Sequence, residues 1–301
     1  MEIIKPSTTI LAMTGHKELP YSYEEKPELL IEVCGRTCYK SEDKITDGSA
    51  GKFVEMIKKR KHGTVLEHSW EVREYSKDIG KMGNWCKYLW FSRKWEGLIG
   101  GNFRAWIEAE EANALLRLDY TTLSEEDVRF DAIEDNEPYL MAATVRVVCD
   151  RGVSHEAVRH RPPGISQEST RYVNYSNKGM QFIAPVWISI RPMVIPAGTW
   201  TGLENIDNDA EVVWARQCVR SEESYNDLIS LGWTPEKARS VLTNSLKTEF
   251  CITSTLYNWQ HIFRMRAGGL AGKPHPQMVE IMEPLLEEFK KLEPTFFSEI
   301  A

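Results

Sequence analysis

Apolar residues recur at helical spacing in several parts of the chain, and this pattern predicts most of its helices. The spacing runs through residues 27–39 and 51–61. The early part of the chain is expected to mix these helices with short strands. It returns in residues 209–231, which have the polar and apolar faces of an amphipathic helix. Two further helices are predicted over residues 255–269 and 275–292.

Extended structure is predicted where this spacing gives way to β-branched residues, as in residues 182–196 ("FIAPVWISIRPMVIP"). Pro284 is expected to kink or interrupt the last helix. The acidic residues 121–138 are expected to form a solvated surface insertion. The elements together predict an α+β fold with a central mixed or antiparallel sheet, packed helices and one elaborated domain over residues 1–301.

The stretch "LMAATVRVVCDRGVSHEAVRHR", residues 140–161, begins with small and β-branched residues and ends with a helical pattern. Ser154 is the predicted N-cap of a short helix that reaches Arg159. The proline pair at positions 162 and 163 should end this helix, because the residue before a proline is pushed toward extended geometry. Residues 164–171 are then expected to form a loop displayed beyond the helix end.

The composition is that of an ordinary soluble protein, with 42% hydrophobic and 27% charged residues. The sequence has no run of about 18 apolar residues and no signal-like N-terminus, so we expect a cytoplasmic protein without a membrane partner. Its net charge of −7 argues against a general nucleic-acid surface. The six cysteines form no C-x-x-C pair, which favours reduced thiols and predicts no metal site; they are Cys34, Cys38, Cys86, Cys149, Cys218 and Cys251.

Against this acidity, residues 159–172 ("RHRPPGISQESTRY") concentrate cations and hydroxyl groups. Arginine has a planar fork of donors that suits phosphate oxygens or the edge of a flat heterocycle. The short polar donors of the segment are Ser166, Gln167, Ser169 and Thr170. A basic surface loop with solvated arginines is the alternative interpretation, but the proline pair and the hydroxyl-rich turn favour a binding segment.

Residues 62–68 ("HGTVLEH") resemble a metal site at first sight, with two histidines and a glutamate close together. The spacing does not match H-E-x-x-H or H-x-x-E-H, so a hydrolytic metal site is disfavoured. The alternative is a helix start, in which Thr64 and Glu67 form a capping box. Such a helix start can also direct backbone N–H groups at an anionic ligand.

Additional cations occur near the end of the chain, where His261 and His275 lie close in sequence to Arg264 and Arg266. With Arg239 and the 159–172 segment, they offer enough donors for a phosphate and for the carbonyl edge of a base. The residues by themselves therefore indicate an anionic, nucleotide-like ligand and leave the reaction open.

The arrangement of Arg159, His160, Arg161, Ser169 and Arg171 resembles the signature of the flavin-dependent thymidylate synthases. The similarity extends on both sides, from "RGVSHEAVRHR" through "SQESTRYVNYS". Other elements are similar to the same family: "HGTVLEH", "GNFRAW", "KARSVL" and "FRMRAGGLAGKPHPQM". The resemblance covers most of the chain except the acidic segment and parts of 71–150.

The resemblance implies a methyltransferase that makes dTMP from dUMP in nucleotide biosynthesis. The one-carbon unit would come from 5,10-methylenetetrahydrofolate, and the electrons from NADPH through bound FAD. It also implies a homotetramer whose sites are built from several subunits. No cysteine lies in the recognised segment, which agrees with flavin chemistry that needs no thiolate nucleophile.

The resemblance also assigns residues to ligands. Those implied for dUMP are Glu156, Arg159, Gln167, Glu168, Ser169, Thr170, Arg171, Arg239 and Arg266. Those implied for FAD are Thr64, Arg159, His160, Arg161, Gln167, Thr255, Tyr257 and His261. Arg266 is the expected catalytic residue, because a guanidinium beside the uracil would favour its N3-ionised form. His62 and Tyr172 are expected near the folate or the nicotinamide, where rings can stack.

Some positions differ from the commoner family pattern. Glu156 stands where glutamine often binds the nucleotide, and Gln167 where many members have glutamate. Thr255, Tyr257 and His261 replace asparagine, arginine and asparagine. Ser169 is interpreted as a ligand contact rather than a nucleophile, because a serine nucleophile needs an adjacent base.

Two other functions are alternatives to this enzyme. A nucleotide- or RNA-binding protein could use the same arginines without chemistry, but it should have a broad basic face and exposed aromatic platforms. The overall acidity favours a small anionic substrate instead. A metal-dependent hydrolase is disfavoured by the ligand spacing.

Overall fold

The computed structural model describes residues 1–75, 88–95, 97–111, 119–161, 163–203, 206, 208–270 and 272–300. The strands are β1 (Glu2–Ile4), β2 (Ser7–Met13), β3 (Glu71–Tyr75), β4 (Leu89–Phe91), β5 (Leu98–Gly101), β6 (Tyr120–Thr122), β7 (Ala142–Asp150), β8 (Gly164–Gln167), β9 (Gln181–Ile183), β10 (Met193–Val194) and β11 (Lys247–Thr255). The helices are α1 (Pro27–Thr37), α2 (Ser49–Lys59), α3 (Phe103–Glu111), α4 (Glu125–Asp135), α5 (Arg151–Ala157), α6 (Asp209–Ser230), α7 (Pro235–Ala238), α8 (Leu256–Arg266), α9 (Pro276–Leu292) and α10 (Pro294–Phe297). The α+β prediction is confirmed.

The central sheet is antiparallel, with strand order β2-β7-β11-β8. Strand β11 lies between β7 and β8 and is buried along its whole length. Its Ile252 pairs with Val145 on one side and with Ile165 on the other. Such β-branched side chains pack well on a pleated surface, which explains why these segments form the centre of the sheet.

Helices α1, α8 and α9 contribute buried side chains to the same hydrophobic cluster as this sheet. In α1, Leu30 and Cys34 lie one turn apart and are both fully buried. Four aromatic rings pack between α8, α9 and α10, with neighbouring centroids 5.1–5.8 Å apart; they are Trp259, Phe263, Phe289 and Phe297. Truncating one of these rings to alanine would cost about 3–5 kcal/mol of stability.

The two smaller sheets have hydrophobic clusters of their own. In the sheet β10-β1-β9, β1 pairs antiparallel with β10 and parallel with β9. It shares a cluster with α6, which supplies Val219 and Tyr225. In the antiparallel sheet β4-β5-β3-β6, Trp106 of α3 packs in the cluster with Tyr75. The predicted central sheet is thus one of three among the described residues.

Most predicted helices are confirmed within a few residues. Segments 27–39, 51–61 and 209–231 correspond to α1, α2 and α6, and segment 255–269 contains α8. The last predicted helix, α9, runs continuously past Pro284 and is therefore not interrupted there. Of the extended prediction over residues 182–196, only short pieces near its two ends form strands, β9 and β10.

The short helix after β7 begins earlier than predicted. Asp150, rather than Ser154, is its N-cap, because Oδ1 of Asp150 accepts a hydrogen bond from the Val153 backbone at 2.7 Å. Ser154 lies inside the helix and donates to the Arg151 carbonyl at 2.9 Å. The helix ends at Ala157, ahead of the proline pair. The displayed loop expected beyond it is also wrong in its first part, since residues 164–167 form β8.

The acidic segment 121–138 is only partly a solvated surface. Its helix α4 buries Val128 and Ala132 in the main hydrophobic cluster. Glu125 is also buried, and its carboxylate accepts hydrogen bonds from the Gly15 backbone at 2.9 Å and the Ser22 hydroxyl at 2.7 Å. Acidic composition correctly indicated exposed positions but missed the apolar side of the helix. No helix in the described ranges is long and apolar enough to cross a membrane.

Candidate active site

The centre of the candidate site is the meeting point of α5 and α8. Strands β7 and β11 are antiparallel, so α5 follows one end of the pair and α8 follows the other. Helix α8 then runs its 11 residues, about 16 Å, before it ends at Arg266. This length brings Arg266 within hydrogen-bond distance of Glu156 on α5 and of His160 just beyond it.

Arg266 makes three hydrogen bonds at this point. Its Nη1 donates to Oε2 of Glu156 at 2.9 Å, and its Nη2 donates to the Glu156 carbonyl at 3.2 Å. Its Nε donates to Nε2 of His160 at 2.9 Å. A guanidinium has five N–H donors, so one N–H on each terminal nitrogen remains beyond these three contacts. The arrangement fixes the plane of Arg266 and retains a pair of donors for a ligand.

His160 is held in its neutral form. Burial lowers the pKa of His160, and the nearby charges of Arg266 and His261 lower it further, to about 4. Its ring lies edge-on to that of His261, with centroids 6.0 Å apart. Because Nε2 of His160 accepts from Arg266, the ring proton is on Nδ1 near neutral pH. His275, the other histidine noted near this region, instead contacts Trp187 with ring centroids 5.7 Å apart.

Strand β8 ends at Gln167, where the polar segment, residues 167–172, begins. Nε2 of Gln167 donates to the Ser154 hydroxyl at 2.8 Å and to the Thr248 hydroxyl at 3.1 Å. The Ser169 backbone N–H donates to the Cys38 carbonyl at 2.9 Å. These contacts tie the segment to α5, to β11 and to the end of α1.

A cationic surface lies where this segment meets α7. Arg239 directly follows α7 and donates from Nη1 to the buried hydroxyl of Thr170 at 3.3 Å. Arg171 lies 3.5 Å from Glu236, and both side chains are at least half exposed. Arg159 and Arg161 are also exposed. Four arginines of the predicted site are therefore accessible to an anion.

Glu168 is the main correction to the predicted nucleotide contacts, because its side chain is only 2% exposed. Its carboxylate accepts hydrogen bonds from the Tyr175 hydroxyl at 2.8 Å and from Nζ of Lys247 at 3.1 Å. Lys247 also pairs with Glu249 at 2.6 Å, and Lys40 forms a second ion pair with Glu249. Burial opposes the ionised form of Glu249, but these lysines lower its pKa to about 2. Glu168 therefore belongs to a buried ionic network.

The 62–68 element is a short 3-10 helix, Gly63–Glu67, rather than the start of an α-helix. The predicted capping box is wrong, because no side chain caps this helix and Oε1 of Glu67 accepts from Arg104 at 2.7 Å. A Cβ at Gly164 would lie 2.6 Å from that of Glu67, so this close approach requires glycine. Thr64 is exposed. His68 is buried, which lowers its pKa to about 3, and its Nδ1 lies 2.8 Å from the Thr253 hydroxyl.

An aromatic group joins the 62–68 element to the end of the polar segment. Tyr172 is 59% exposed, and its ring centroid lies 5.5 Å from that of Tyr39. The Tyr39 hydroxyl lies 3.4 Å from Nδ1 of His62. His62 and Tyr172, both predicted to lie near a planar co-substrate, are thus connected through Tyr39.

The remaining predicted flavin residues lie at the beginning of α8. Thr255 is its N-cap and accepts a hydrogen bond from the Asn258 backbone at 3.2 Å. It lines a small cavity together with Glu67 and Gly164. Tyr257 packs its half-exposed ring against Trp90 and Tyr139, at centroid distances of 6.3 and 6.5 Å. The site residues therefore divide between the two ends of α8.

Three contributors were missed by reasoning from the sequence: Tyr39, Cys38 and Thr248. Tyr39 and Cys38 stand at the end of a helix whose apolar spacing gave no reason to place them at a site. Thr248 is one of several hydroxyl residues on β11. Their contacts with the polar segment join residues 81 to 133 positions apart in the chain, so no local pattern could have revealed them.

Comparison with known proteins gives a consistent family. Residues 140–295 match the model of the family described as "Thymidylate synthase complementing protein". This range contains α5, β8, β11 and α8, and it excludes the 62–68 element and the sheet β4-β5-β3-β6.

Several curated relatives are similar over about the same number of residues. The flavin-dependent thymidylate synthase of Pyrococcus furiosus is 27% identical over 145 residues, which cover 48% of this chain and 52% of that protein. The enzyme of the same name from Pyrococcus horikoshii is 30% identical over 145 residues, with the same two coverages. That of Halobacterium salinarum is 28% identical over 145 residues, covering 46% and 58%. The chain thus spans about half the length of the curated relatives it matches.

Among solved structures, the UMP/dUMP methylase PolB from Streptomyces cacaoi, bound with 5-Br dUMP, superposes with a TM-score of 0.45 and 16% identity. The superposition covers 99% of this chain and 96% of that one. The same protein bound with 5-Br UMP gives a TM-score of 0.47 and 13% identity. Superpositions at this level transfer no site residue.

Proposed function

Because the chain belongs to the thymidylate synthase complementing protein family, we propose that it is an enzyme that converts dUMP to dTMP by reductive methylation. In this proposal 5,10-methylenetetrahydrofolate donates the one-carbon unit, NADPH reduces bound FAD, and no cysteine acts as nucleophile. The observation that carries the proposal is the position of Arg266. Its plane is fixed by Glu156 and His160, and it keeps two N–H donors for a flat ligand edge.

The proposed role of Arg266 is to bind the carbonyl edge of the uracil. Its two remaining N–H groups, one on each terminal nitrogen, can donate to oxygen acceptors at the edge of a planar ring. The paired carboxylate of Glu156 partly offsets the charge of Arg266, whereas neutral His160 adds none. The guanidinium would therefore stabilise negative charge on the pyrimidine ring chiefly by donating hydrogen bonds to it. Such fixed donors lower the cost of charge that develops during a reaction.

The proposed phosphate site uses the exposed arginines of the cationic surface beside α7. Arg239 is oriented by Thr170, and Arg171 lies on the same segment. Ser169 and Gln167 would then contact the sugar or the base as short polar groups. The Glu168 carboxylate is already bonded to Lys247 in the buried ionic network. A nucleotide that reaches both the meeting point of α5 and α8 and the cationic surface would have its base near Arg266 and its phosphate near Arg239.

The donor set of the chain suits the anionic part of FAD. Arg159 and Arg161 are exposed cations, and Thr64 is an exposed hydroxyl. At the start of α8, the hydroxyl of Ser254 is buried and has no hydrogen-bond partner among the described residues. The rings of Tyr257 and His261 are the proposed stacking groups, with Thr255 beside them. When bound, the flavin supplies the hydride, and these residues orient it and exclude water.

The cysteines described by the structure favour a reaction without a thiolate. The Cys38 carbonyl accepts a hydrogen bond from the Ser169 backbone in the polar segment. Burial raises the pKa of the Cys38 thiol to about 11, so the thiol stays protonated near neutral pH. Cys218 lies in a separate hydrophobic cluster, where burial raises its pKa to about 12. Cys86 lies outside the described residues.

The experiment is an assay of purified protein with dUMP labelled with tritium at C5, methylenetetrahydrofolate, FAD and NADPH. Release of the label as water together with dTMP formation is the expected result, and it should require FAD. The protein should also be yellow or become yellow on addition of FAD. A folded protein that binds dUMP but neither takes up FAD nor releases tritium would refute the proposal. Light scattering of the same preparation tests the proposed homotetramer.

A further inference from the structure

A cavity of about 660 Å³ lies at the opposite end of α1 from the candidate site. It is bounded by the first residues of α1 and α2, by β3 and by α4. Cys38, which contacts the site, follows the last residue of α1, whereas the cavity meets its first residue, Pro27. The 11 residues of the helix separate the two places by about 16 Å. Every described residue that lines the cavity lies outside residues 140–295, the part of the chain that matches the family.

The walls of this cavity are largely apolar and aromatic. Side chains that form them include Tyr23, Leu29, Trp70, Val72, Phe103 and Leu123. Its volume is in the range of about 300–1,000 Å³ that small-molecule sites occupy in proteins. Walls of this kind bind a hydrocarbon or a single aromatic ring through the hydrophobic effect.

The charges around the cavity are strongly negative. Its described lining contains six carboxylates, Glu24, Glu25, Glu28, Asp47, Glu71 and Glu125, and one cation, Lys26. Three of the carboxylates are already used: Glu24 and Glu125 accept backbone N–H groups, and Glu71 pairs with Arg73.

The other three, Glu25, Glu28 and Asp47, are exposed and form no ion pair within the described ranges. Like charges in this arrangement repel an anion and attract a cation. dUMP, FAD, NADPH and folate are all anionic, so the cavity is unsuited to the ligands of the proposed reaction.

We propose that this cavity is a second binding site for a small organic cation, an amine with an apolar body. The body would occupy the aromatic walls, and the ammonium group would lie near Glu25 and Asp47 at the opening. This site does not depend on the proposed enzymatic function, since none of the arginines of the candidate site lines it. Among the described residues, Trp70 lines both this cavity and the small cavity beside Thr255.

Three probes with the same body and different head groups test the proposal: 4-phenylbutylamine, 4-phenylbutanol and 4-phenylbutyrate. Calorimetric titration of the full chain should show that the amine binds about fivefold or more tightly than the alcohol, as expected for attraction to partly exposed carboxylates. The butyrate should not bind measurably. Added salt should weaken binding of the amine and leave that of the alcohol unchanged. Equal affinities for amine and alcohol, or no binding of either, would overturn the proposal.

Substitutions at the cavity test whether the probes bind there. The exposed pair Glu25→Gln and Asp47→Asn should reduce the preference for the amine over the alcohol to about one, while Glu55→Gln, elsewhere on α2 and 73% exposed, should keep it. Ala50→Phe places a ring into the cavity from α2 and should abolish binding of both probes. Circular dichroism checks that this variant is folded. If the charge variants keep the full preference, or if Glu55→Gln loses it as well, the cavity is not the binding site.

Discussion

Nε of Arg266 donates a hydrogen bond to Nε2 of His160 across 2.9 Å, an arrangement that is possible only while the imidazole is neutral. Burial and the charges of Arg266 and His261 lower the pKa of His160 to about 4, so the ring stays neutral over the physiological range. A protonated ring would instead place a second positive charge beside the guanidinium. Protonation of His160 at low pH should therefore break its hydrogen bond with Arg266 and disturb the position of the guanidinium.

Stability should depend on pH through this histidine. The ordinary pKa of about 6.5 applies in the unfolded chain, and the folded value is about 4. As the pH falls through this window, the unfolded chain takes up a proton that the folded protein does not. Folding should thus lose about 1–2 kcal/mol from His160 between roughly pH 6.5 and 4, after allowance for partial exposure of the ring.

The measurement is the free energy of unfolding by denaturant from pH 7.5 to 4, compared between the wild type and His160→Asn. The variant should lack this part of the acid loss. His155→Asn, at an exposed position on α5, should keep the full loss. Identical pH profiles for the wild type and His160→Asn would show that His160 is not held neutral.

Loss of the Arg266 guanidinium should remove turnover and spare the cofactor. Arg266→Ala should lower kcat about 100- to 1,000-fold, the usual effect of removing a fixed donor at a reacting group. FAD content should stay near that of the wild type, because the proposed flavin contacts lie on other residues. Turnover and tritium release measured on flavin-loaded protein test this. A variant with wild-type turnover would end the proposed role of Arg266.

Many residues of the candidate site could be proposed from the sequence because they are concentrated in segments with strong local patterns. Arg159 to Arg171 form a dense polar run, and Arg266 ends a helix with clear apolar spacing. Local patterns do not determine which way a side chain points, so Glu168 was assigned to the ligand although it is buried against Lys247. The N-cap of α5 was misplaced for a related reason, since Asp150 and Ser154 are both good caps and tertiary packing decides between them.

In the fold, likewise, elements that depend on neighbouring residues could be predicted, whereas contacts between distant segments could not. Helices α1, α6 and α8 follow from periodicity, which is a property of neighbouring residues. The division of the strands into three sheets depends on pairings such as β2 with β7, whose partners are 130 to 141 positions apart. Acidic residues 121–138 were judged by composition, which does not detect that Val128 and Ala132 share one face of α4. Pairing and packing of this kind require the folded chain.

Arg239 should affect binding of the nucleotide more than its conversion. Arg239→Ala removes the proposed phosphate contact beside Thr170, so the KM for dUMP should rise about 10- to 100-fold while kcat changes little. Arg220→Ala, an exposed arginine on α6, should leave both constants unchanged. The same fall in kcat and kcat/KM, with KM constant, would show that Arg239 acts in the chemical step instead.

The aromatic group Tyr39, Tyr172 and His62 should bind the planar co-substrate. Tyr172→Ala removes an exposed ring, and the KM for methylenetetrahydrofolate or for NADPH should rise about fivefold or more. Tyr39→Phe should have a small effect, because the bond from its hydroxyl to His62 is long at 3.4 Å. Steady-state kinetics with each co-substrate varied in turn identify which one uses the group. Unchanged KM values for both in Tyr172→Ala would exclude this surface.

Cys38 provides the test of a reaction without a thiolate, because its backbone touches the segment that carries Ser169. With its pKa raised to about 11 by burial, only about one thiol in a thousand is ionised at pH 8. Cys38→Ser should therefore keep turnover within about threefold of the wild type in folded, flavin-loaded protein. Cys218→Ser is the matched control, since it alters a thiol that is buried in the hydrophobic cluster of α6 and should lower only the stability. Complete loss of tritium release in Cys38→Ser, with FAD content and folding preserved, would instead support a covalent thiolate mechanism. Retained activity would support a site that acts by orienting its ligands through Arg266, Arg239 and their partners.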